Sequence, residues 1–101
     1  VWLDKYELSR WAYYYCKNKG NNPDIRKYIT NSYWSYLYCK NISDDLEVRK
    51  YITNSYQAYL YCKFIKDDPK IRKNINKSVD AYNYCIFIKN RPGVRKYIKE
   101  G

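Results

Sequence analysis

Residues Arg26 to Lys40 read RKYITNSYWSYLYCK and residues Arg49 to Lys63 read RKYITNSYQAYLYCK, so 13 of 15 positions agree across a shift of 23 residues. Agreement of that length marks an internal repeat. It extends in both directions: Cys returns at 16, 39, 62 and 85, each closing a Tyr-x-Tyr-Cys phrase, and Arg-Lys returns at 26/27, 49/50, 72/73 and 95/96. Ser9, Ser32, Ser55 and Ser78 open the same block. The expected units run over about 9–31, 32–54, 55–77 and 78–101, with 1–8 as the end of a preceding unit. Together they make one α-helical repeat domain over 1–101, and a Val at position 1 leads us to expect a longer parent chain.

Each unit reads as two short helices. In the first, Ser35, Tyr38, Cys39 and Ile42 fall at i, i+3, i+4 and i+7, the stripe of a 3.6-residue period, and Ala58, Tyr61, Cys62 and Ile65 repeat it. The second carries Val48, Tyr51 and Ile52 on one face, matched by Ile25, Tyr28 and Ile29. Asn22-Pro23, Asp68-Pro69 and Arg91-Pro92 mark its starts, and Asp44 three residues before Glu47 is a capping-box candidate. At the way back, Asn31-Ser32 and Asn54-Ser55 suit a helix stop on Asn followed by an N-cap on Ser. Helices this short are marginal alone in water, so stacking of neighbouring repeats has to stabilise them. The expected fold is all-α, a right-stacked solenoid of about four 23-residue helix-turn-helix repeats.

The alternation of Asp45–Ile52 (D-x-E-[IV]-R-K-Y-I) with Ala58–Cys62 (A-Y-x-Y-C) resembles two-helix repeats of about this period in proteins of giant viruses, phages and some protists. Those repeats commonly place a small residue where Cys16, Cys39, Cys62 and Cys85 stand here. The resemblance implies helical repeats and no assigned activity, so no functional residue is carried over.

The chain has no His and only 3 Gly, which removes His-based catalysis and metal sites and nearly removes Gly-rich phosphate cradles. The acids gather at the starts of the second helices, where capping and the helix dipole account for them. Metal-dependent nuclease work by Asp44/Asp45 and Asp67/Asp68 is the one enzymatic alternative, and repeated identical pairs suit architecture better. No enzyme activity, cofactor or metal is therefore expected. One Cys per unit at a fixed helical position reads as a small buried side chain. Equivalent positions on stacked helices sit about 8–10 Å apart, beyond the roughly 7 Å a disulfide spans. Reduced thiols point to an intracellular setting, host cytoplasm or virion for a viral protein. No apolar run approaches the roughly 20 residues of a membrane span, so no membrane partner is expected. The sequons at Asn41 and Asn76 are incidental in that setting.

Lys and Arg number 20 against 10 Asp and Glu, a net charge of +10 that favours an acidic partner. Two basic rows are the candidate contact surface for nucleic acid or an acidic protein: Arg26, Arg49, Arg72 and Arg95, and Lys27, Lys50, Lys73 and Lys96. The competing reading for the Arg row is intrahelical pairing, Asp45 with Arg49 and Asp68 with Arg72. Two Tyr columns, Tyr13/36/59/82 and Tyr15/38/61/84, read as core, with base stacking as the alternative. Trp11 and Trp34 become Gln57 and Asp80 in later units, a drift that suits a solvent-facing position and an exposed patch for a protein partner, viral or host. A structural or protein-interaction scaffold is thus the alternative to a nucleic-acid module.

Overall fold

Asn, Asp and Pro decide where this chain turns helical. The computed structural model describes residues 2–100. Among them it has eight helical segments and no strand: α1 (Lys5–Lys19), α2 (Pro23–Arg26), α3 (Ser32–Asn41), α4 (Leu46–Arg49), α5 (Ser55–Phe64), α6 (Pro69–Arg72), α7 (Ser78–Phe87) and α8 (Pro92–Arg95). Long helices alternate with single turns of four residues, as the repeat requires. Residues 5–8, expected to end a preceding unit, are instead the first turn of α1, which Asp4 caps by accepting from the Glu7 N–H at 2.8 Å. Gly20 stops α1 with φ +120°, a conformation L side chains rarely adopt.

The long helices begin one residue earlier than the Asn-Ser pairs led us to expect. Asn31 Oδ1 accepts from the N–H groups of Tyr33 and Trp34 at 2.9 and 3.2 Å, and Asn54 Oδ1 does the same for Tyr56 and Gln57. Both Asn residues are extended (φ −85° and −77°), so they are N-caps and not left-handed stops, and Ser is the first helical residue. Asp45, rather than Asp44, caps α4 by accepting from the Glu47 N–H at 2.8 Å.

The repeated serines perform another task. Ser9 Oγ accepts from the Thr30 and Asn31 N–H groups at 3.0 and 3.1 Å and donates to the Tyr28 carbonyl. Ser55 Oγ accepts from Asn76 and Lys77, both at 3.1 Å, and Ser78 Oγ from Lys99 at 2.9 Å. A long helix thereby holds the segment that leaves the short helix after it. Backbone N–H groups leaving a helix need a partner, and a fixed Ser supplies it.

The chain divides into two compact units, Val1–Ile52 and Thr53–Gly101, with two repeats in each. In the first, α1 packs on α2 and α3, and α3 on α4; in the second, α5 packs on α6 and α7, and α7 on α8. Ile29, Ile52 and Ile75, each just beyond a single-turn helix, are fully buried, as are Tyr38, Tyr61 and Tyr84. Tyr13, Tyr36 and Tyr59 are also buried, which places both Tyr columns in the core except for Tyr82 and the partly exposed Tyr15. All four Cys are free thiols, and Cys16, Cys39 and Cys62 are buried.

Candidate polyanion-binding surface

The two basic rows separate once their surroundings are seen. Arg49 lies 3.2 Å from Asp44 and Arg72 lies 3.1 Å from Asp67, each with only 17% of its side chain exposed. These acids stand five residues before the Arg, not four. Asp45 and Asp68 are occupied as caps, the latter accepting from the Lys70 N–H at 2.7 Å, so the expected Asp45–Arg49 and Asp68–Arg72 pairs are replaced. Arg26 reaches Asp45 at 3.8 Å and the Tyr38 hydroxyl at 3.5 Å, and Arg95 donates to Asn90 at 2.9 Å.

Buried tyrosine hydroxyls explain why Arg26 and Arg72 turn inward, whereas Arg95 is exposed. The Tyr38 hydroxyl donates to Asn21 at 2.7 Å, and the Tyr84 hydroxyl donates to Asp67 at 2.8 Å while accepting from Arg91 Nε at 2.8 Å. Arg91 also pairs with Asp67 at 3.2 Å. A phenol buried to its tip must hydrogen-bond there, and an Asn or Asp backed by Arg supplies the partner. The column Asn21, Asp44, Asp67, Asn90 was readable at the 23-residue spacing, but its distance from the tyrosines it serves was not.

The Lys row faces outward. Lys27, Lys50, Lys73 and Lys96 are each the C-cap of a single-turn helix, with φ near −60° and ψ near −19° throughout, and all four are exposed. Lys27, Lys50 and Lys96 lie over the rings of Tyr28, Tyr51 and Tyr97 at 5.4, 5.4 and 5.2 Å, which holds each ammonium group against an aromatic face. Lys50 also binds Glu47 at 2.8 Å, which raises its pKa. Lys73 and Lys96 have no carboxylate partner among the described residues.

Each unit has a groove between its two short helices. That of the first, about 220 Å³, includes Arg26, Lys27, Lys50 and Glu47; that of the second, about 430 Å³, includes Arg72, Lys73, Arg91, Lys96 and Tyr97 and no acid. The position held by Asp24 and Glu47 in the first unit is Lys70 and Gly93 in the second. Charge follows: residues 1–52 carry 9 Lys and Arg against 6 Asp and Glu, a net +3, and residues 53–101 carry 11 against 4, a net +7.

Trp11 and Trp34 do not form one exposed patch. Trp11 is 46% exposed and Trp34 only 5%, and the Asp80 position is buried as well. The Tyr6, Tyr13, Tyr14 and Tyr33 rings surround Trp34 at centroid distances of 5.0–5.7 Å. Trp34 on α3 lies against Tyr13 of α1, and Asp80 is buried on α7, so the drift from Trp to Asp does not track solvent exposure. Trp34 Nε1 is buried without a hydrogen-bond partner.

Among the described residues no three His, Cys, Asp or Glu gather as a metal site, and no helix is long and apolar enough to cross a membrane. Comparison with protein-family models, curated proteins and solved structures finds no match.

Proposed function

We propose that this chain is a non-enzymatic binding module that grips a polyanion, the phosphate backbone of a nucleic acid, through its lysine row. The observation that carries this reading is the groove of the second unit, lined by no acid, where exposed Lys73 and Lys96 stand on the half of the chain with net charge +7 while Asp67 pairs with the arginines Arg72 and Arg91. Arg26 and Arg72 of the Arg row become support for tyrosine hydroxyls, and Lys supplies the contact. Backbone cations without base-reading side chains favour binding that is tolerant of sequence and steeply salt-dependent. The identity between Arg26–Lys40 and Arg49–Lys63 supports continuing the repeats as one right-stacked solenoid, and the resemblance to viral and phage repeats is kept with it. Free thiols at every Cys position favour a reducing compartment.

Fluorescence anisotropy with generic duplex DNA and single-stranded RNA over a salt series tests the reading. Affinity should fall steeply with salt, and Lys73→Gln with Lys96→Gln should reduce the log–log slope by about 2. The pair Lys27→Gln and Lys50→Gln should reduce it less, because Glu47 already neutralises Lys50. Absence of binding at low salt removes the proposal.

A further inference from the structure

The two grooves are built to one plan. In the second unit α6 contributes Pro69 and Lys73, and α8 is followed by Lys96 and Tyr97. In the first unit Pro23 and Lys27 meet Lys50 and Tyr51 in the same way. The corresponding residues stand at one register of the 23-residue repeat, two repeats apart. Tyr51 lies in the middle of the chain and is half-buried, as Tyr97 is, so the groove does not depend on the ends of the sequence.

The Tyr is the member that a site for phosphate alone does not need. Its backbone N–H closes the short helix, Tyr97 donating to the Val94 carbonyl at 3.0 Å and Tyr51 to the Val48 carbonyl at 3.1 Å. The ring is thereby held beside the C-cap Lys. Lys96 Nζ lies 5.2 Å from the Tyr97 ring centroid, and Lys50 Nζ 5.4 Å from that of Tyr51. At an exposed site such a cation–π contact is weak, so a phosphate can draw the ammonium away and leave the ring face to another planar group. Neither ring is spent on the core: Tyr38, Tyr61 and Tyr84 are fully buried, whereas Tyr51 and Tyr97 keep part of their surface in solvent. An aromatic face next to a cation is the pairing that takes a base together with its phosphate.

We infer that the groove of the second unit takes a single strand of nucleic acid, with a base stacked on Tyr97 and the flanking phosphates on Lys73 and Lys96. The inference rests on the polyanion reading and adds to it a preference for unpaired bases. A duplex turns its bases inward and offers phosphates alone, and a surface that senses only charge favours it, because its phosphates are the denser. Stacking reverses that order without reading sequence, since every base has a π-face. The groove's volume of about 430 Å³ lies toward the small end of the roughly 300–1,000 Å³ of ligand pockets and suits one splayed nucleotide. The groove of the first unit is about 220 Å³ and holds Glu47 against Lys50, so it contributes less.

The test is fluorescence anisotropy at low salt with probes of equal phosphate number: a single-stranded oligothymidylate, the same strand made abasic, and a duplex. The oligothymidylate should bind about tenfold more tightly than its abasic counterpart, and more tightly than the duplex. Tyr97→Ala should weaken oligothymidylate binding by about the same factor while leaving the abasic strand and the salt slope unchanged. Tyr97→Phe should restore the affinity, and Tyr51→Ala should have the smaller effect. Circular dichroism should report wild-type helicity for each variant; should Tyr97→Ala lose it, the comparison of the two strands on the wild-type chain decides alone. Equal affinity for the oligothymidylate and the abasic strand, a preference for the duplex, or a folded Tyr97→Ala that binds both strands as the wild type does overturns the inference and leaves the phosphate reading standing. Failure of every probe to bind removes both.

Discussion

Asp67 binds three partners, the Tyr84 hydroxyl and the Arg72 and Arg91 guanidiniums. Burial pushes its carboxyl up, but Tyr84, Arg72 and Arg91 outweigh burial and hold it below the ordinary 3.8. A carboxyl depressed on folding adds stability that is complete above its unfolded pKa and is lost as pH falls through the lower folded value. Urea unfolding of the wild type should therefore weaken below about pH 4, and Asp67→Ala should lower stability by about 2 kcal/mol at neutral pH by leaving the Tyr84 hydroxyl without its acceptor. Burial raises the phenols of Tyr38 and Tyr84, the opposite case, so stability should also fall once pH climbs through the ordinary 10. Burial likewise pushes the Cys39 and Cys62 thiols up to about 12. Titration with a disulfide reagent at pH 8 should modify the partly exposed Cys85 before those two, with mass spectrometry after digestion giving the order. Thiol burial was legible from one Cys per repeat on the apolar stripe. The partners of Asp67 were not, since they lie 5, 17 and 24 residues away and two belong to the next repeat.

Among the elements, α7 starts differently from its counterparts. Asn31 and Asn54 cap α3 and α5, but the N-cap of α7 is Lys77, whose side chain makes no capping bond. Lys77→Asn should stabilise the chain by about 1 kcal/mol in thermal or urea unfolding, the usual worth of such a cap. Ser55→Ala should cost about 1 kcal/mol, because the part-buried Asn76 and Lys77 N–H groups lose their shared acceptor. The existence and order of long and short helices were legible, because Pro, Asp and Asn act locally within a turn. Which member of each Asn-Ser or Asp-Asp pair forms the cap was not. Both members are good caps, and in each case the other member is engaged elsewhere: Ser55 accepts from the Asn76 and Lys77 N–H groups 21 and 22 residues on, and Asp44 pairs with Arg49.

On the scale of the whole molecule, charge is distributed unevenly, +3 over residues 1–52 and +7 over residues 53–101. Cross-linking to a phosphate-containing oligonucleotide should mark Lys73 and Lys96 more heavily than Lys27 and Lys50, with peptide mapping as the readout. The sequence by itself determined the all-α class, the 23-residue alternation of helices and the outward Lys row. Caps, turn residues and a 3.6-residue stripe act over a few residues and need no distant partner. Only the tertiary structure decided that Trp34 lies among four tyrosine rings, that Arg26 and Arg72 face buried hydroxyls, and that Tyr82 and Trp11 are exposed. Each of those outcomes depends on which helix packs against which, and the free energy of burying a ring or a guanidinium is set by those neighbours rather than by the residue's own place in the repeat.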